Sequence, residues 1–303
     1  YLEGKVVNVS PYIGETIEGF TGSSSVSDLE TLFQLIYLYF TAAEKDEDSF
    51  HSYVSRIETY FRNQDASPDF RFGQTLMRLL SSSHPRGRAF DISIIPEIDH
   101  DKAYSVFRNR IGDPGSFTYG FTGSAPAEMV VGLAEKYIAF STDVSSTEET
   151  WADTGIRLPE GVVEETIYMG KEEKSQIAVV FNGDFEWSRE NLLLLTALTE
   201  AADIRLRNAI REDEGGTYSI SVYPSVEKYP VPQYQITVYF ACDPARAEDL
   251  KNIVLSEIKS LRERIPEGTI QKFHNASFLE LRKQLKENSF WLSAIKDSEI
   301  DSS

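Results

Sequence analysis

The sequence predicts an α+β protein with two homologous domains, each built from a largely antiparallel sheet with helices packed on one face. Three observations lead to this fold class. Apolar residues recur at steps of three and four in several long stretches, as one buried helical face requires. Short alternating apolar runs between them indicate strands. The same order of strand, turn and helix then occurs on both sides of one polar stretch.

The first helix is expected directly after residue 27. Ser27 and Glu30 have the spacing of a capping box. The apolar face that follows consists of Leu29, Leu32, Phe33, Ile36 and Phe40. The same spacing predicts further helices around residues 50–60, 129–140, 250–261 and 273–285, and a Ser-capped helix after "VVFNGDFEWS" (179–188). Stripes of this kind are nearly always core.

Short runs of alternating or β-branched residues predict the strands. They are "FTYGF" (117–121), "SQIAVVF" (175–181), "TYSISVY" (217–223) and "YQITVYF" (234–240). The chain itself opens in an extended, Val-rich segment, "KVVNVS" (5–10), which starts from Tyr1 rather than Met and has no signal-peptide leader. We therefore expect the chain to be a piece of a longer protein.

A linker is predicted at residues 141–159, which are rich in Ser, Thr, Asp and Glu. On both sides of it a strand leads through a Gly turn into a Ser-capped helix, and a second strand leads through a Pro turn into an amphipathic helix. The alternative is that common strand-turn-helix units resemble each other by chance, but their shared order on both sides of the linker favours duplication of one domain. We expect two homologous α+β domains, at residues 1–145 and 156–303.

Composition narrows the classes of partner. The formal net charge is −18, divided into −10 for residues 1–150 and −8 for the remainder, so the whole body is acidic. Such a surface repels phosphate backbones and disfavours nucleic acid as a partner. The longest uncharged apolar stretch, at residues 31–43, is too short to span a bilayer. Cys242 is the only cysteine, which excludes an internal disulfide and a thiolate metal cluster.

The chain lacks the sequence motifs of common catalytic sites. Its four histidines stand far apart, and none belongs to an H-x-x-E-H or H-E-x-x-H motif, so we expect no zinc site within this chain. A G-x-S-x-G elbow, a Walker lysine and a G-x-G-x-x-G fingerprint are also missing. Glu164 and Glu165 are acidic neighbours, but adjacent carboxylates on a strand point to opposite faces. A solvated surface is the better interpretation of that pair.

One stretch, "REDEGGTYS" (211–219), places Arg211 and Tyr218 seven positions apart around two glycines. The expected geometry is a helix that ends near Arg211, a sharp reversal, and a strand on which Tyr218 lies. Both side chains can donate hydrogen bonds to an oxyanion or a peptide carbonyl. On spacing alone a structural role is favoured, because an Arg at a helix C-terminus suits the macrodipole and a strand Tyr is ordinary core.

Six stretches together carry a resemblance that covers nearly the full length. They are "SPYIGETIEGFTGSSSVSDLETLFQLIYLYFTA" (10–42), "FRFGQTLMRLLSSSHPR" (70–86), "KSQIAVVFNGDFEWS" (174–188), "IREDEGGTYSISV" (210–222), "YFACDP" (239–244) and "KENSFWL" (286–292). With these residues the chain resembles the C-terminal half of the pitrilysin and insulysin family of zinc metallopeptidases, the inverzincins. Each stretch alone is weak evidence for this family, whereas the six stretches together are specific for it.

The resemblance implies a LuxS/MPP-like metallopeptidase fold, in which two halves of two α+β domains each close around a peptide. It makes residues 1–145 the third domain and residues 156–303 the fourth. It places the H-x-x-E-H motif and the Zn²⁺ ion in an N-terminal half outside this chain. Arg211 and Tyr218 match the R-x-x-x-x-x-x-Y pattern of the family, which implies that they hold the substrate backbone and the oxyanion.

The expected function is therefore the substrate-binding half of a zinc metalloendopeptidase, inactive alone and completed by the N-terminal half as partner, with a peptide as substrate. The alternative is a non-catalytic partner or scaffold that only binds peptide or protein, since the family also contains halves without the metal motif. The resemblance to bacterial envelope members implies the periplasm. An H-x-x-E-H motif in the residues encoded before Tyr1 would favour the enzyme, and its absence the scaffold.

Overall fold

The computed structural model describes residues 2–140, 151–213, 220–263, 265 and 268–301. Its elements, in chain order, are β1 (Val7–Ile13), β2 (Glu18–Ser24), α1 (Leu29–Thr41), α2 (Glu47–Gln64), α3 (Pro68–Leu80), α4 (His100–Ile111), α5 (Ala127–Tyr137), β3 (Ser175–Asp184), α6 (Arg189–Arg207), β4 (Ile220–Glu227), β5 (Gln233–Cys242), α7 (Ala247–Leu261), α8 (Thr269–Gln284) and α9 (Asn288–Ile300). The strands pair antiparallel throughout, which confirms the predicted α+β class. Within those described ranges, every helix is too short or too polar to cross a bilayer.

The chain divides into two compact units. The first consists of Tyr1–Arg62, Asp91–Ala152 and Lys283–Ser303, and the second of Asn63–Phe90 and Asp153–Arg282. The units differ from the sequence domains 1–145 and 156–303 in two segments, because residues 63–90 belong to the second unit and residues 283–303 to the first. The homology of the two sequence domains stays a prediction.

The core of the first unit is built on the helical face that the sequence predicts. All five apolar residues of that face of α1 are buried, and Phe33 is fully enclosed. The hairpin of β1 and β2, in register from Val7 opposite Ser24 to Ile13 opposite Glu18, contributes Val7, Val9 and Phe20 to the same cluster. The pattern of apolar residues therefore predicted the buried side of this helix correctly.

The predicted capping box at the start of this helix is wrong. A 3-10 turn, Val26–Asp28, precedes α1, and its cap is Ser25, whose side chain accepts a hydrogen bond from the amide of Asp28 at 3.2 Å. Ser27 instead lies inside that turn, with its hydroxyl 2.9 Å from the hydroxyl of Ser25. The additional turn moves the cap two residues towards the N-terminus, which spacing within the helix could not reveal.

Residues 117–121 do not form the predicted strand. Their alternation is nevertheless real, since Phe117, Tyr119 and Phe121 pack against the core of the first unit. The ring of Phe121 stacks on Phe33 at 5.2 Å between centroids. Their side chains alternate between core and surface as those of a strand do, but in the described part of the chain their backbone pairs with no other strand.

The second unit contains a three-stranded sheet in the order β3, β5, β4. The register runs from Ser175 opposite Cys242 to Asp184 opposite Gln233 between β3 and β5, and from Ile220 opposite Phe240 between β4 and β5. Val238 and Phe240 are fully buried beneath α6 and α7 and form a core with residues of both helices. These helices therefore cover one face of the sheet.

The other face of this sheet meets α3. Because side chains alternate along a strand, the side chain of Tyr239 points to the other face of the sheet from that of Phe240. The ring of Tyr239 contacts Phe72 of α3 at 6.1 Å between centroids, and Gln176 of β3 bonds to Asp69 at the start of α3. Burial raises the pKa of the Tyr239 hydroxyl. The sheet thus has α6 and α7 on one side and α3 on the other.

Helix α6 begins where the sequence predicts. The hydroxyl of Ser188 accepts a hydrogen bond from the amide of Asn191 at 3.0 Å. We expect Ser188→Ala to lower the free energy of unfolding by about 1 kcal/mol, because it leaves this amide without its acceptor. Ser188→Asp keeps the acceptor and should stay near the original stability. Urea unfolding of both variants measures the difference, and equal losses would contradict the capping role.

Candidate functional site

The segment that carries the predicted pair is anchored at both ends in one hydrophobic core. A helical segment with wider turns, Asn208–Asp213, continues α6 and contains Arg211. The residue before Arg211 is Ile210, which is fully buried, and Ile220 at the start of β4 belongs to the same core cluster. The two residues that flank 211–219 therefore belong to one hydrophobic core.

The backbone of Arg211 thus lies at the end of the α6 region, as expected. Its side chain lies outside the described part of the molecule, and so does the whole of Tyr218. The structure therefore gives no distance between these two side chains. Their pairing stays a prediction.

Two other arginines near the end of α6 are held by carboxylates. Arg205 forms an ion pair with Glu257 of α7, and Arg207 forms one with Asp203, one turn back on its own helix. Positive charge in the last turn also suits the helix dipole. The pair of Arg205 and Glu257 joins α6 to α7, and so helps to fix the end of the helix from which residues 211–219 depart.

A second feature, which the sequence analysis missed, is a groove along β3 with a cavity volume of about 1210 Å³. One wall is the whole of β3, and the facing wall is the irregular segment 157–167 with Met169. Apolar side chains of α3, among them Phe72, Leu76 and Leu79, and residues of α7 also line it. The only sign of this groove is that the apolar run of β3 contains no fully buried residue. That degree of burial is visible in the structure and not in the sequence.

Charged side chains around the groove are largely paired. Lys251 of α7 bonds to Glu164 at 3.3 Å and to Glu248 at 2.9 Å, and these bonds, that with Glu248 above all, raise its pKa. Glu165 pairs with Arg78 of α3. The neighbouring carboxylates Glu164 and Glu165 are thus taken up by two different helices, in agreement with the expectation that they do not act together as acid and base.

The described residues offer no ligand set for zinc. Within the described ranges there is no group of three or more His, Cys, Asp or Glu side chains that could hold a metal. Nδ1 of His84 accepts a hydrogen bond from the amide of Arg86 at 3.2 Å, and the ring of His100 stacks on Phe50 at 4.1 Å. The ring of His84 thus caps a turn, and that of His100 packs against an aromatic side chain.

The antiparallel sheets and the helices packed on them define a protein of the α+β class. The sequence model of the family described as "Peptidase M16 inactive domain" matches residues 99–275, more than half of the chain. The chain belongs to this family. The resemblance to the C-terminal half of pitrilysin-type peptidases is thereby confirmed.

Two curated relatives align over nearly the whole chain. It is 25% identical over 296 residues to the probable zinc protease PqqL of Haemophilus influenzae, an alignment that covers 96% of this chain and 31% of the relative. It is 23% identical over 318 residues to a zinc protease PQQL-like protein of Arabidopsis thaliana, covering 95% and 32%. The chain therefore spans about a third of the length of these relatives.

Solved structures share the fold. The periplasmic protease PqqL from Escherichia coli superposes with a TM-score of 0.81 at 19% identity, over 96% of this chain and 32% of the other. The ferredoxin protease FusC, whose structure is a complex with Arabidopsis ferredoxin, gives a TM-score of 0.67 at 18% identity, over 93% and 30%. At this identity the likeness supports the peptidase fold and nothing finer.

Proposed function

We propose that the chain is the substrate-binding C-terminal half of a zinc-dependent metalloendopeptidase. Arg211 and Tyr218 hold the peptide backbone and stabilise the oxyanion that forms at the scissile carbonyl. The observation that carries this proposal is the family match, because residues 99–275 include both members of the pair. The burial of Ile210 and Ile220, the residues that flank 211–219, in one core cluster supports it, since a catalytic donor needs a rigid base.

The partner that this function requires is an N-terminal half with the metal ligands. The two curated relatives bear the name zinc protease and are about three times as long as this chain, which supports a further half that holds the zinc. The acidic body favours basic or extended peptides. The periplasm is the proposed compartment, because the structure from Escherichia coli is that of a periplasmic protease.

A second candidate is a non-catalytic scaffold that binds peptide or protein. The description of the family as an inactive domain favours it. Both candidates bind a peptide, and only the first needs Arg211 and Tyr218 to stabilise a charge during reaction. Variants of the pair in a complete protein therefore distinguish them.

The chain purified alone should bind no stoichiometric zinc and cleave no peptide, because neutral His and carboxylate ligands at zinc-site spacing are missing from its sequence. Addition of the separately purified N-terminal half of the same parent protein should produce chelator-sensitive peptide cleavage. Metal analysis and a fluorogenic peptide assay measure both. One equivalent of tightly held zinc on this chain would contradict the proposal, and a mixture that binds peptide without cleaving it would favour the scaffold.

A further inference from the structure

The outer edge of β3 is open in the described structure. β3 stands at the end of the sheet and pairs with β5 on one side only. In the described ranges, no backbone hydrogen bond joins its other side to a neighbouring segment. Its apolar run "IAVVF" is only partly buried. An apolar strand with one unpaired row of amides and carbonyls readily accepts another strand.

A candidate for that strand runs beside it. Residues 162–169, "VVEETIYM", which we name the strap, have no regular structure, and all of them except Tyr168 line the same groove as β3. The strap is rich in residue types that favour strands, such as Val163, Ile167 and Tyr168. Val162 and Tyr168 are 92% and 94% exposed, which leaves their apolar surface in water. The strap has the composition of a strand and lacks the packing of one.

The side chains of the strap already alternate as those of a strand do. Glu164 bonds to Lys251 of α7, whereas the next residue, Glu165, bonds to Arg78 of α3. α7 covers one face of the sheet and α3 the other. Consecutive side chains that reach opposite helix layers place the backbone between those layers, where a further strand of the sheet would run.

The connection from the strap to β3 has hairpin length. Five residues, 170–174, separate them, and a pair of Met169 with Lys174 or of Gly170 with Ser175 leaves a loop of four, within the two to five residues that hairpin loops commonly contain. These two registers place residue 166 opposite Ile177 or Val179, whose side chains face α7 as that of Glu164 does. Gly170 has a φ of +95°, in the left-handed region that favours glycine and suits a reversal of the chain. The amide of Lys174 donates to the carbonyl of Glu172 at 2.9 Å. A short turned loop brings the strap back antiparallel to β3.

We propose that residues 162–169 close onto β3 as a fourth, antiparallel strand and thereby occupy the groove. The sheet order becomes strap, β3, β5, β4. Closure pairs the open edge, buries the exposed apolar side chains of the strap and keeps other extended chains from this edge. This inference rests on the second unit alone and is independent of the proposed peptidase function.

Engineered disulfides test the geometry. Thr166 shares the parity of Glu164 and so faces α7, as do Ile177 and Val179 of β3. We expect Thr166→Cys to form a disulfide with either Ile177→Cys or Val179→Cys under mild oxidation, because Cα atoms opposite each other on adjacent strands lie within disulfide reach. The single native cysteine, Cys242, is buried and gives little background.

The matched control is Glu165→Cys with the same partners, since residue 165 faces the opposite layer. Non-reducing gels and mass spectrometry compare the rates of cross-linking. Faster linking at 166 than at 165 supports the closed strap. Equal rates, or no linking at either position in a folded protein, would overturn it.

Hydrogen exchange supplies an independent readout that needs no cysteine. In the unaltered chain, the amides of β3 on both edges should exchange slowly, together with amides of the strap. Thr166→Pro removes one amide donor and should speed exchange at the outer amides of β3 by about tenfold or more, whereas Thr166→Ala keeps the amide and should not. Fast exchange at the outer edge of β3 before any substitution would show that the strap does not close.

Discussion

In the enzyme reconstituted from both halves, Tyr218→Phe is expected to lower kcat by roughly 100-fold to 1,000-fold, or about 2.7 to 4 kcal/mol. In the proposed role the phenol donates a hydrogen bond to the oxyanion, which exists only along the reaction path and not in the bound substrate. Loss of such a donor acts mainly on kcat and leaves KM little changed. Because Phe keeps the ring, folding should survive the substitution.

Arg211 should be at least as important. In the proposed role its guanidinium offers two parallel donors to a peptide carbonyl, so Arg211→Ala is expected to reduce kcat/KM by a comparable or larger factor. Arg211→Lys should restore little, because a compact ammonium cannot reproduce the planar fork. Steady-state kinetics with one peptide substrate, run on all three variants, gives the comparison.

The control for the tyrosine is Tyr223→Phe. Tyr223 lies on β4, the strand that follows the pair, and is half exposed, so loss of its hydroxyl should leave kcat and thermal stability unchanged. The competing account makes Arg211 a helix-end charge and Tyr218 core packing. That account expects a lowered Tm with normal kcat, and such a result for Tyr218→Phe would remove the catalytic role proposed here.

Local structure could be predicted from the sequence, whereas pairing between distant segments could not. The buried face of α1 and the Ser188 cap of α6 depend on residues within one or two turns, and both are confirmed. At residues 117–121 the alternation identified the buried side chains but not a partner strand. A ladder depends on what lies opposite, and spacing along the chain carries no information about that.

The candidate site shows the same division. The residue types of Arg211 and Tyr218 allow an oxyanion role, but their spacing alone favoured helix-end and core roles. The family resemblance changed that balance, and the match over residues 99–275 supports it. The groove along β3 could not be predicted, because it combines β3 and residues 157–169 with α3 and α7, which both lie far from them in sequence.

The core cluster that contains Ile210 and Ile220 should be sensitive to truncation of its side chains. Phe240 is fully buried at the centre of the sheet, opposite both Ile177 and Ile220, and shares a cluster with Ile210. We expect Phe240→Ala to lower the free energy of unfolding by about 3 to 5 kcal/mol, because it removes a large apolar side chain and leaves a cavity that rigid neighbours fill incompletely. Urea or thermal unfolding of the isolated chain measures the loss.

Leu193→Ala on α6 is the matched control, because that side chain is 55% exposed and its truncation should change stability by no more than about 0.5 kcal/mol. A loss below about 1 kcal/mol for Phe240→Ala would show that this cluster is not the core of the unit.

Phe240→Ala and Tyr218→Phe should also have opposite effects on stability and on catalysis. The first should lower Tm while the molecules that remain folded keep their kcat, and the second should keep Tm and lose kcat. A variant of Phe240 that lost kcat at full stability would instead mean that the anchors Ile210 and Ile220 transmit small shifts of the core directly to residues 211–219.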